Sequence, residues 1–247
     1  MEESFVDENV ILSGGPCVPK YEGPIPWWLE YFWDETGYGK TNTFLSLIDL
    51  GERRKNIPPT YIYGCNFAIR KNVLLKLFGT FPDYYAEKYK QYQGDGESGL
   101  ALKIQKCGFN AHYNPQSMIH HLIPSSRLTI DYFIWRRYYN GIHASFRDYR
   151  NYHGLDSVNM FIKQNTQIHR IIFSTRRPLE LARYFFFRMK NIIQSKPARV
   201  KEIRNRIEKS FHEGYNYHRK ELEIDPKLRE WVLRPNFLGA NGKLPIP

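Results

Sequence analysis

Glycine and proline divide the first half of this chain into short apolar runs, whereas the second half carries long helical patterns. The short runs have the length of β-strands, and glycines mark the ends of two short helices between them. Four prolines between residues 16 and 26 predict no regular structure before Trp27. The predicted strands cover 10–12, 61–63, 67–69, 109–113 and 118–123, and the predicted helices cover 71–78 and 98–106.

Beyond residue 127 the apolar residues recur at helical spacing. The predicted helices of this second half cover roughly 129–150, 159–173, 177–195 and 197–213. We therefore expect an α/β fold with a mixed sheet and flanking helices, followed by a basic, mostly α-helical region. The expected division is a first domain over residues 1–127 and a helical C-terminal region over 128–247.

Charge follows the same division. Residues 1–126 carry 12 Lys/Arg against 14 Asp/Glu, whereas residues 127–247 carry 24 against 11, a net charge of +13. Such an excess favours an anionic partner, and phosphorylated lipid, a bilayer surface and nucleic acid all satisfy that requirement. Residues 175–194 interleave Arg and Lys with Leu, Phe and Ile, a pattern that fits a helix in a membrane interface and equally a core-packed helix with a basic outer side.

The three cysteines, Cys17, Cys65 and Cys107, are odd in number and lack metal-like spacing. They fit a reducing compartment better than a disulfide scaffold. Neither a signal peptide nor a run of about 20 apolar residues is visible. These features predict a cytoplasmic protein that is soluble or peripherally bound to the inner face of the membrane.

Two carboxylates lie at the start of the predicted helix 98–106. Asp95 and Glu97 occupy positions where the helix macrodipole favours negative charge. One interpretation is helix capping by Asp95. The other is a carboxylate that takes a proton from a bound hydroxyl group.

A second pair of candidate residues, His120 and His121, lies in the predicted strand 118–123. Adjacent strand residues face opposite sides of a sheet, so only one of these imidazoles can face a given site. Either is compatible with a structural role or with metal or phosphate binding.

Several ordered segments resemble the later half of the catalytic domain of glycosyltransferase family 2, which has a GT-A-type fold. The helix Leu100-Ala101-Leu102-Lys103-Ile104, followed by Gly108-Phe109, is similar to the family's Leu-x-Leu-Arg-Leu helix and its Gly-aromatic pair. In the family an acidic motif, commonly Glu-Asp, precedes this helix. The other similar segments are Gly14 to Pro19 with Trp27-Trp28-Leu29, Gly64-Cys65-Asn66-Phe67-Ala68-Ile69-Arg70, and Tyr113-Asn114-Pro115 with Met118 to Thr129.

The resemblance implies a set of roles. Glu97 aligns with the general base; Gly96 replaces the preceding acid, so Asp95, one position earlier, is expected to act as a helper of Glu97 or as a ligand of the acceptor. His120 aligns with a histidine near the metal, and Arg127 is a candidate phosphate contact because a guanidinium binds phosphate in bidentate fashion. The resemblance also implies Asn66 and Arg70 as polar contacts on the acceptor side, although a surface arginine is equally compatible with a solvated charge. Trp27, Trp28 and Trp33 are candidate sugar-stacking rings or, alternatively, aromatic residues of the core.

The implied reaction is inverting transfer of a sugar from a nucleotide-sugar donor to the hydroxyl of a carbohydrate or lipid-linked acceptor, in polysaccharide or glycolipid synthesis. The family's divalent metal, Mg²⁺ or Mn²⁺, is held by an Asp-x-Asp motif, and no Asp-x-Asp occurs in this sequence. We therefore expect a partial domain that is inactive without a donor-binding half. A truncated gene, a split gene or a fragment that needs a partner chain would each explain it. The alternative is a non-catalytic scaffold that binds membrane or nucleic acid, although no nucleic-acid-binding module is recognisable.

Overall fold

The computed structural model describes residues 2–8, 10–52, 54–74, 96–106, 108–155 and 198–233. These residues form two mixed β-sheets and a helical C-terminal region, which confirms the predicted α/β class. The strands within them are β1 Leu12–Gly14, β2 Cys17–Tyr21, β3 Asp34–Glu35, β4 Lys40–Asn42, β5 Leu47–Asp49, β6 Arg54–Ile57, β7 Phe67–Ile69, β8 Ala111–Tyr113 and β9 Ile119–Ile123. The α-helices are α1 Lys71–Val73, α2 Gly96–Lys106, α3 Ile130–Tyr152, α4 Ala198–Ile224 and α5 Pro226–Val232. Short 3₁₀ helices cover Glu2–Phe5, Leu29–Phe32, Pro59–Tyr61, Gly64–Asn66 and Ser125–Arg127.

Two parallel pairs of strands connect the sheets. In the first sheet, ordered β6-β8-β1-β7, β1 runs parallel to β8. In the second sheet, ordered β3-β4-β5-β2-β9, β2 runs parallel to β9. Since β1 leads into β2 and β8 leads into β9, both chain segments pass from the first sheet to the second side by side. We call the region where they cross, residues 14–17 with residues 113–119, the sheet junction.

The strand Cys17–Tyr21 corrects the expectation that prolines exclude regular structure before Trp27. Pro19 lies inside β2 opposite His121, within the parallel ladder to β9. Pairing with β5 on the other edge of β2 is confined to Cys17. Beyond Cys17 that edge carries no ladder, so a residue without an N–H is tolerated there.

The predicted strand 61–63 is also wrong, because Pro59–Tyr61 forms a 3₁₀ turn in which Tyr61 N–H donates to Pro58 O. Consecutive prolines at 58 and 59 supply the fixed φ that starts this turn. The run 10–12 forms its strand slightly later, at Leu12–Gly14. The strands at 67–69, 109–113 and 118–123 are confirmed to within two residues, as is the helix at 98–106. Of the predicted helix 71–78, residues 71–73 are helical and those from 75 onward lie outside the described residues.

Two long helices form the C-terminal region. Thr129 caps α3 by accepting a hydrogen bond from Tyr132 N–H, and Asp225 caps α5 in the same way for Lys227 and Leu228. The expected helices 129–150 and 197–213 correspond to α3 and to the longer α4, whereas those at 159–173 and 177–195 lie outside the described residues. Among the helices described, none is long and apolar enough to cross a membrane.

Helices α3 and α4 approach closely through two glycines. A β-carbon on Gly214 would collide with the backbone oxygen of Tyr138, and one on Gly141 would collide with that of Phe211. Each helix therefore presents a glycine to the other's backbone. Beside this contact, His218 Nδ1 of α4 lies 2.8 Å from Ser145 Oγ of α3 in the buried interface.

The helix pair shares a core with the second sheet. Phe133 of α3 stacks on Phe44 at 4.5 Å between ring centroids, and meets Trp28 and Phe32 edge-on. Ile203 and Ile207 of α4 belong to the same cluster. The core cluster of the first sheet instead contains Leu100 and Ile104 of α2. The helical region and the second sheet are thus joined by an aromatic cluster contributed from both sides of residue 127.

We predict that Gly214→Ala destabilises the protein by about 1–3 kcal/mol, because the added methyl group forces α3 and α4 apart. Gly37→Ala is the matched control, since a β-carbon at Gly37 has no atom within 4 Å. Urea unfolding followed by far-UV circular dichroism measures both. Equal stability of the two variants would show that the helices do not pack through this glycine.

A second prediction concerns the free energy of unfolding at acidic pH. Burial lowers the pKa of His218 from 6.5 to about 4, helped by His143 and Arg219. As pH falls below 6.5 the unfolded chain gains a proton at this histidine that the folded chain does not accept until about pH 4. The free energy of unfolding therefore decreases over that window, and this group contributes on the order of 2 kcal/mol between pH 7 and 4.5.

His218→Asn should reduce this loss of stability in acid. Part of the loss should remain in the variant, because burial likewise lowers the pKa of His143 to about 4. Urea unfolding at pH 7 and at pH 4.5 gives the comparison. Asn205→Ala, an exposed change on α4 at a residue that does not titrate, is the control and should leave the pH dependence unchanged. An identical pH dependence in wild type and His218→Asn would contradict the assignment.

Candidate functional site

Helix α2 brings Glu97 to the surface beside the sheet junction. Leu100 and Ile104 are buried in the core of the first sheet, together with Ile57 and Ile62 from the segment that α2 packs against. Gly108 follows the helix with φ +82°, a left-handed value that glycine adopts without steric cost. Anchored in this way, α2 presents Glu97 in its first turn, where the side chain is exposed.

The Glu97 side chain lies directly against the backbone of Gly64. A β-carbon built on Gly64 would lie 2.6 Å from Glu97 Cδ and 2.8 Å from Oε1. Gly64 begins the 3₁₀ turn Gly64–Asn66, which we call the junction turn. Two motifs about 30 residues apart in the sequence thus meet in space. Asp95, the expected helper, lies outside the described residues.

Asn66 fastens the junction turn to the sheet junction. It is only 3% exposed, and its side-chain amide donates to Ser117 O at 2.6 Å and to Pro16 O at 3.2 Å. These carbonyls belong to the two segments that cross between the sheets. Both hydrogen atoms of the predicted acceptor-binding amide are therefore used within the fold.

The middle residue of the junction turn, Cys65, contacts a second thiol. Its Sγ lies 3.3 Å from Cys17 Sγ and 3.6 Å from Ser46 O. The hydrogen bond between the Cys65 and Cys17 thiols lowers the pKa of Cys65, helped by a backbone hydrogen bond and opposed by burial and by the nearby Glu97 charge. The same pairing and burial raise the pKa of Cys17, so Cys65 is the thiol that ionises first. Ser46 has φ +55°, an unusual value for a residue with a side chain.

The two histidines of β9 face opposite sides of the second sheet. Cys17 pairs with Ile119 and Val18 pairs with His120, so His120 lies on the face away from Cys17. His120 is exposed, whereas His121 is half-buried on the Cys17 face. The strand geometry therefore does not bring His120 to the Cys17 and Cys65 thiols beside Glu97. Of the two histidines, His121 is the one that lies on the same face of the sheet as Cys17.

The two predicted arginines have their side-chain partners outside the junction turn. Arg70 binds the N-terminal segment, donating to the carbonyls of Phe5, Asp7 and Val10 at 2.7–2.9 Å. Arg127 is half-buried at the start of the helical region, with its guanidinium 5.8 Å from the centre of the Tyr132 ring. Arg70 consequently has a structural role in this fold.

Of the two predicted stacking rings, only Trp27 is accessible. Trp27 is 48% exposed, whereas Trp28 is 6% exposed and packs in the aromatic core against Phe32 and Phe133. The Arg199 guanidinium lies over the Trp27 ring at 5.4 Å. A sugar that stacked on one of these two tryptophan rings would therefore contact Trp27.

No group of three or more His, Cys, Asp or Glu is arranged to hold a metal ion among residues that the structure describes. Beside Glu97 lie the thiols of Cys65 and Cys17, which suit soft metals rather than Mg²⁺ or Mn²⁺. These thiols therefore do not replace the carboxylate ligands of the hard divalent ion that the sequence resemblance implies.

Sequence reasoning missed the pairing of Cys17 with Cys65. The two residues are 48 positions apart and belong to no spacing motif. The sequence signal for this contact is that each cysteine lies in a segment that contains glycine. These segments are Gly14 to Pro19 and Gly64 to Arg70. Their contact follows from the sheet junction, which no local pattern encodes.

No protein-family model, curated protein or solved structure matches this chain.

We predict that Asn66→Ala destabilises the protein by about 1–3 kcal/mol, because it removes the side-chain donor to Ser117 O and one of the two donors to Pro16 O, which also accepts from Ile119 N–H. Asn110→Ala, at an exposed position after α2, is the matched control and should change stability little. Thermal and urea unfolding measure the difference. If the two variants are equally stable, Asn66 does not hold the junction together.

Proposed function

We propose that this chain is the acceptor-side half of an inverting glycosyltransferase of the GT-A type, with Glu97 as the general base. The observation that carries the proposal is the contact of Glu97 with Gly64. The sequence resemblance concerns both segments independently, one for its acid before a helix and one for its Gly-x-Asn-x-Ala-x-Arg pattern. Their meeting supports a common site.

In this proposal Glu97 has one chemical role, which is to accept a proton. Its carboxylate, exposed at the start of α2, takes the proton of an acceptor hydroxyl as the hydroxyl oxygen attacks the anomeric carbon of the donor sugar. The nucleoside diphosphate leaves from the opposite side, so a single displacement inverts the configuration. Such a base contributes about 10²–10⁴-fold to the rate. Trp27, at the exposed edge of the aromatic core, is the candidate ring for the acceptor sugar.

Donor binding belongs to another segment or chain in this proposal. An Asp-x-Asp motif is missing from the sequence, and the described residues provide no substitute for its metal ligands. His120 faces away from Cys17 across the sheet, so we assign it no step. We therefore expect the purified chain to show no metal-dependent transfer or hydrolysis of nucleotide sugars by itself.

The test combines this chain with the polypeptide encoded beside it in the genome, provided that this neighbour carries a strand–turn–helix start and an Asp-x-Asp. The mixture should transfer sugar from a panel of nucleotide sugars in the presence of Mg²⁺ or Mn²⁺. Glu97→Gln should lower kcat about 10²-fold or more. Gly64→Ala, whose new methyl group displaces the Glu97 carboxylate, should also lower kcat while the protein stays folded.

Glu202→Gln, an exposed carboxylate on α4, is the control and should leave the rate unchanged. Turnover by the chain alone would contradict the division into halves. Full activity of Glu97→Gln in the mixture would exclude Glu97 as the base. An unrelated neighbour with its own promoter, together with binding of the chain to anionic vesicles, would favour the scaffold alternative.

A further inference from the structure

The contact between Cys17 and Cys65 points to a function that does not depend on sugar transfer. We propose that these two thiols form a reversible oxidation site, in which a peroxide converts the Cys17–Cys65 pair to a disulfide. The proposal rests on their proximity, on the difference in their exposure, and on the place of Cys65 in the junction turn.

The two sulfur atoms are positioned to form a disulfide bond. The sulfurs are 3.3 Å apart and both cysteines are free. Cys17 begins β2 at the end of the sheet junction, where its backbone is fixed by pairing with β5 and β9. Cys65 lies in the junction turn, which Asn66 fastens to the same junction. Both ends of the future bond are therefore held in place by independent hydrogen bonds.

The two thiols differ in a way that assigns their roles. Cys65 is exposed, whereas Cys17 is 1% exposed and cannot meet a solute directly. The Cys17 thiol also lowers the pKa of Cys65 by hydrogen bonding to it. Accessible thiolates react first with peroxides, and a neighbouring thiol then resolves the product. Cys65 is accordingly the attacking residue and Cys17 the resolving residue.

The steps balance with hydrogen peroxide as the oxidant. The Cys65 thiolate attacks one peroxide oxygen and the O–O bond breaks, which gives a sulfenic acid and hydroxide. This hydroxide takes up the proton that the Cys65 thiol released on ionising and becomes the first water. The Cys17 sulfur then attacks the Cys65 sulfur, the S–O bond breaks, and the Cys17 proton leaves with the departing hydroxide as water. Two thiols and one peroxide give one disulfide and two waters, and a dithiol reductant reverses the change.

The bond would change the surroundings of Glu97. Cys65 follows Gly64, the residue against which the Glu97 side chain rests, so tightening Cys65 onto Cys17 alters the surface that Glu97 contacts. The cross-link would also close a loop between residues 17 and 65, which stabilises a chain by restricting its unfolded state.

The experiment treats the reduced, full-length chain with increasing hydrogen peroxide, blocks the remaining thiols with an alkylating agent, and maps peptides without reduction. We expect a Cys17–Cys65 linked peptide at low peroxide, with Cys107 alkylated, and a melting temperature raised by on the order of 5 °C that returns after dithiothreitol. The same treatment in urea should scatter the linkage over the three possible cysteine pairs.

Cys65→Ser, an exposed substitution, should abolish the linked peptide and the rise in melting temperature, while Cys107→Ser should leave both intact. Cys17→Ala should leave a sulfenic acid on Cys65, detectable with a dimedone-type probe, and so separates loss of the resolving thiol from loss of folding. Oxidation of Cys65 to a sulfinic acid without a linked peptide in the wild type would overturn the proposal. So would a native disulfide that involves Cys107.

Discussion

The side-chain amide of Asn66 donates to the carbonyls of Pro16 and Ser117, and both sheets meet at that point. Two chain segments run in parallel through the first sheet, bend, and continue in parallel through the second. At the bend Pro16 and Pro115 bring no N–H, and the two segments are joined by Asn114 N–H to Gly14 O and by Ile119 N–H to Pro16 O. The Asn66 amide adds a second donor to Pro16 O and a donor to Ser117 O, and an orphaned buried carbonyl would cost about 1–3 kcal/mol.

The structural role of Asn66 also explains why chemically reactive groups gather around it. Gly64 and Cys65 precede Asn66 in one tight turn, so fixing the amide fixes the positions of both neighbours. One neighbour supports the Glu97 side chain and the other contacts the Cys17 thiol. Exposed loop residues rarely hold a geometry unless a rigid scaffold positions them. Here the scaffold is the sheet junction itself, to which the Asn66 amide fixes the turn.

Local sequence patterns predict the elements of this fold better than its junction. Helix α2 and strands β7 and β9 follow from apolar spacing and a terminal glycine, which are properties of short segments. Strand β2 was missed because Pro19 is acceptable only where the strand's second edge is unpaired, and that depends on β5. The sequence pattern predicts Asn66 as a substrate contact, and it does not encode the burial of this amide or its two carbonyl partners, which depend on tertiary contacts. The thiol pair depends on a contact across 48 residues, which no periodicity encodes.

The aromatic patch at residues 27–33 shows how tertiary packing divides a uniform sequence pattern into core and surface. Trp28 and Phe32 are four positions apart and turn together into the cluster around Phe133, whereas Trp27 remains at its edge. There Arg199 of α4 lies over the Trp27 ring, and an exposed cation–π contact is worth only about 0.5–1 kcal/mol. A sugar that stacks on Trp27 can therefore displace the guanidinium at little cost, or lie on the opposite ring face and leave it in place. Because α4 carries Arg199 and packs its apolar side on the same cluster, the helical region and the aromatic patch form a single surface around this ring.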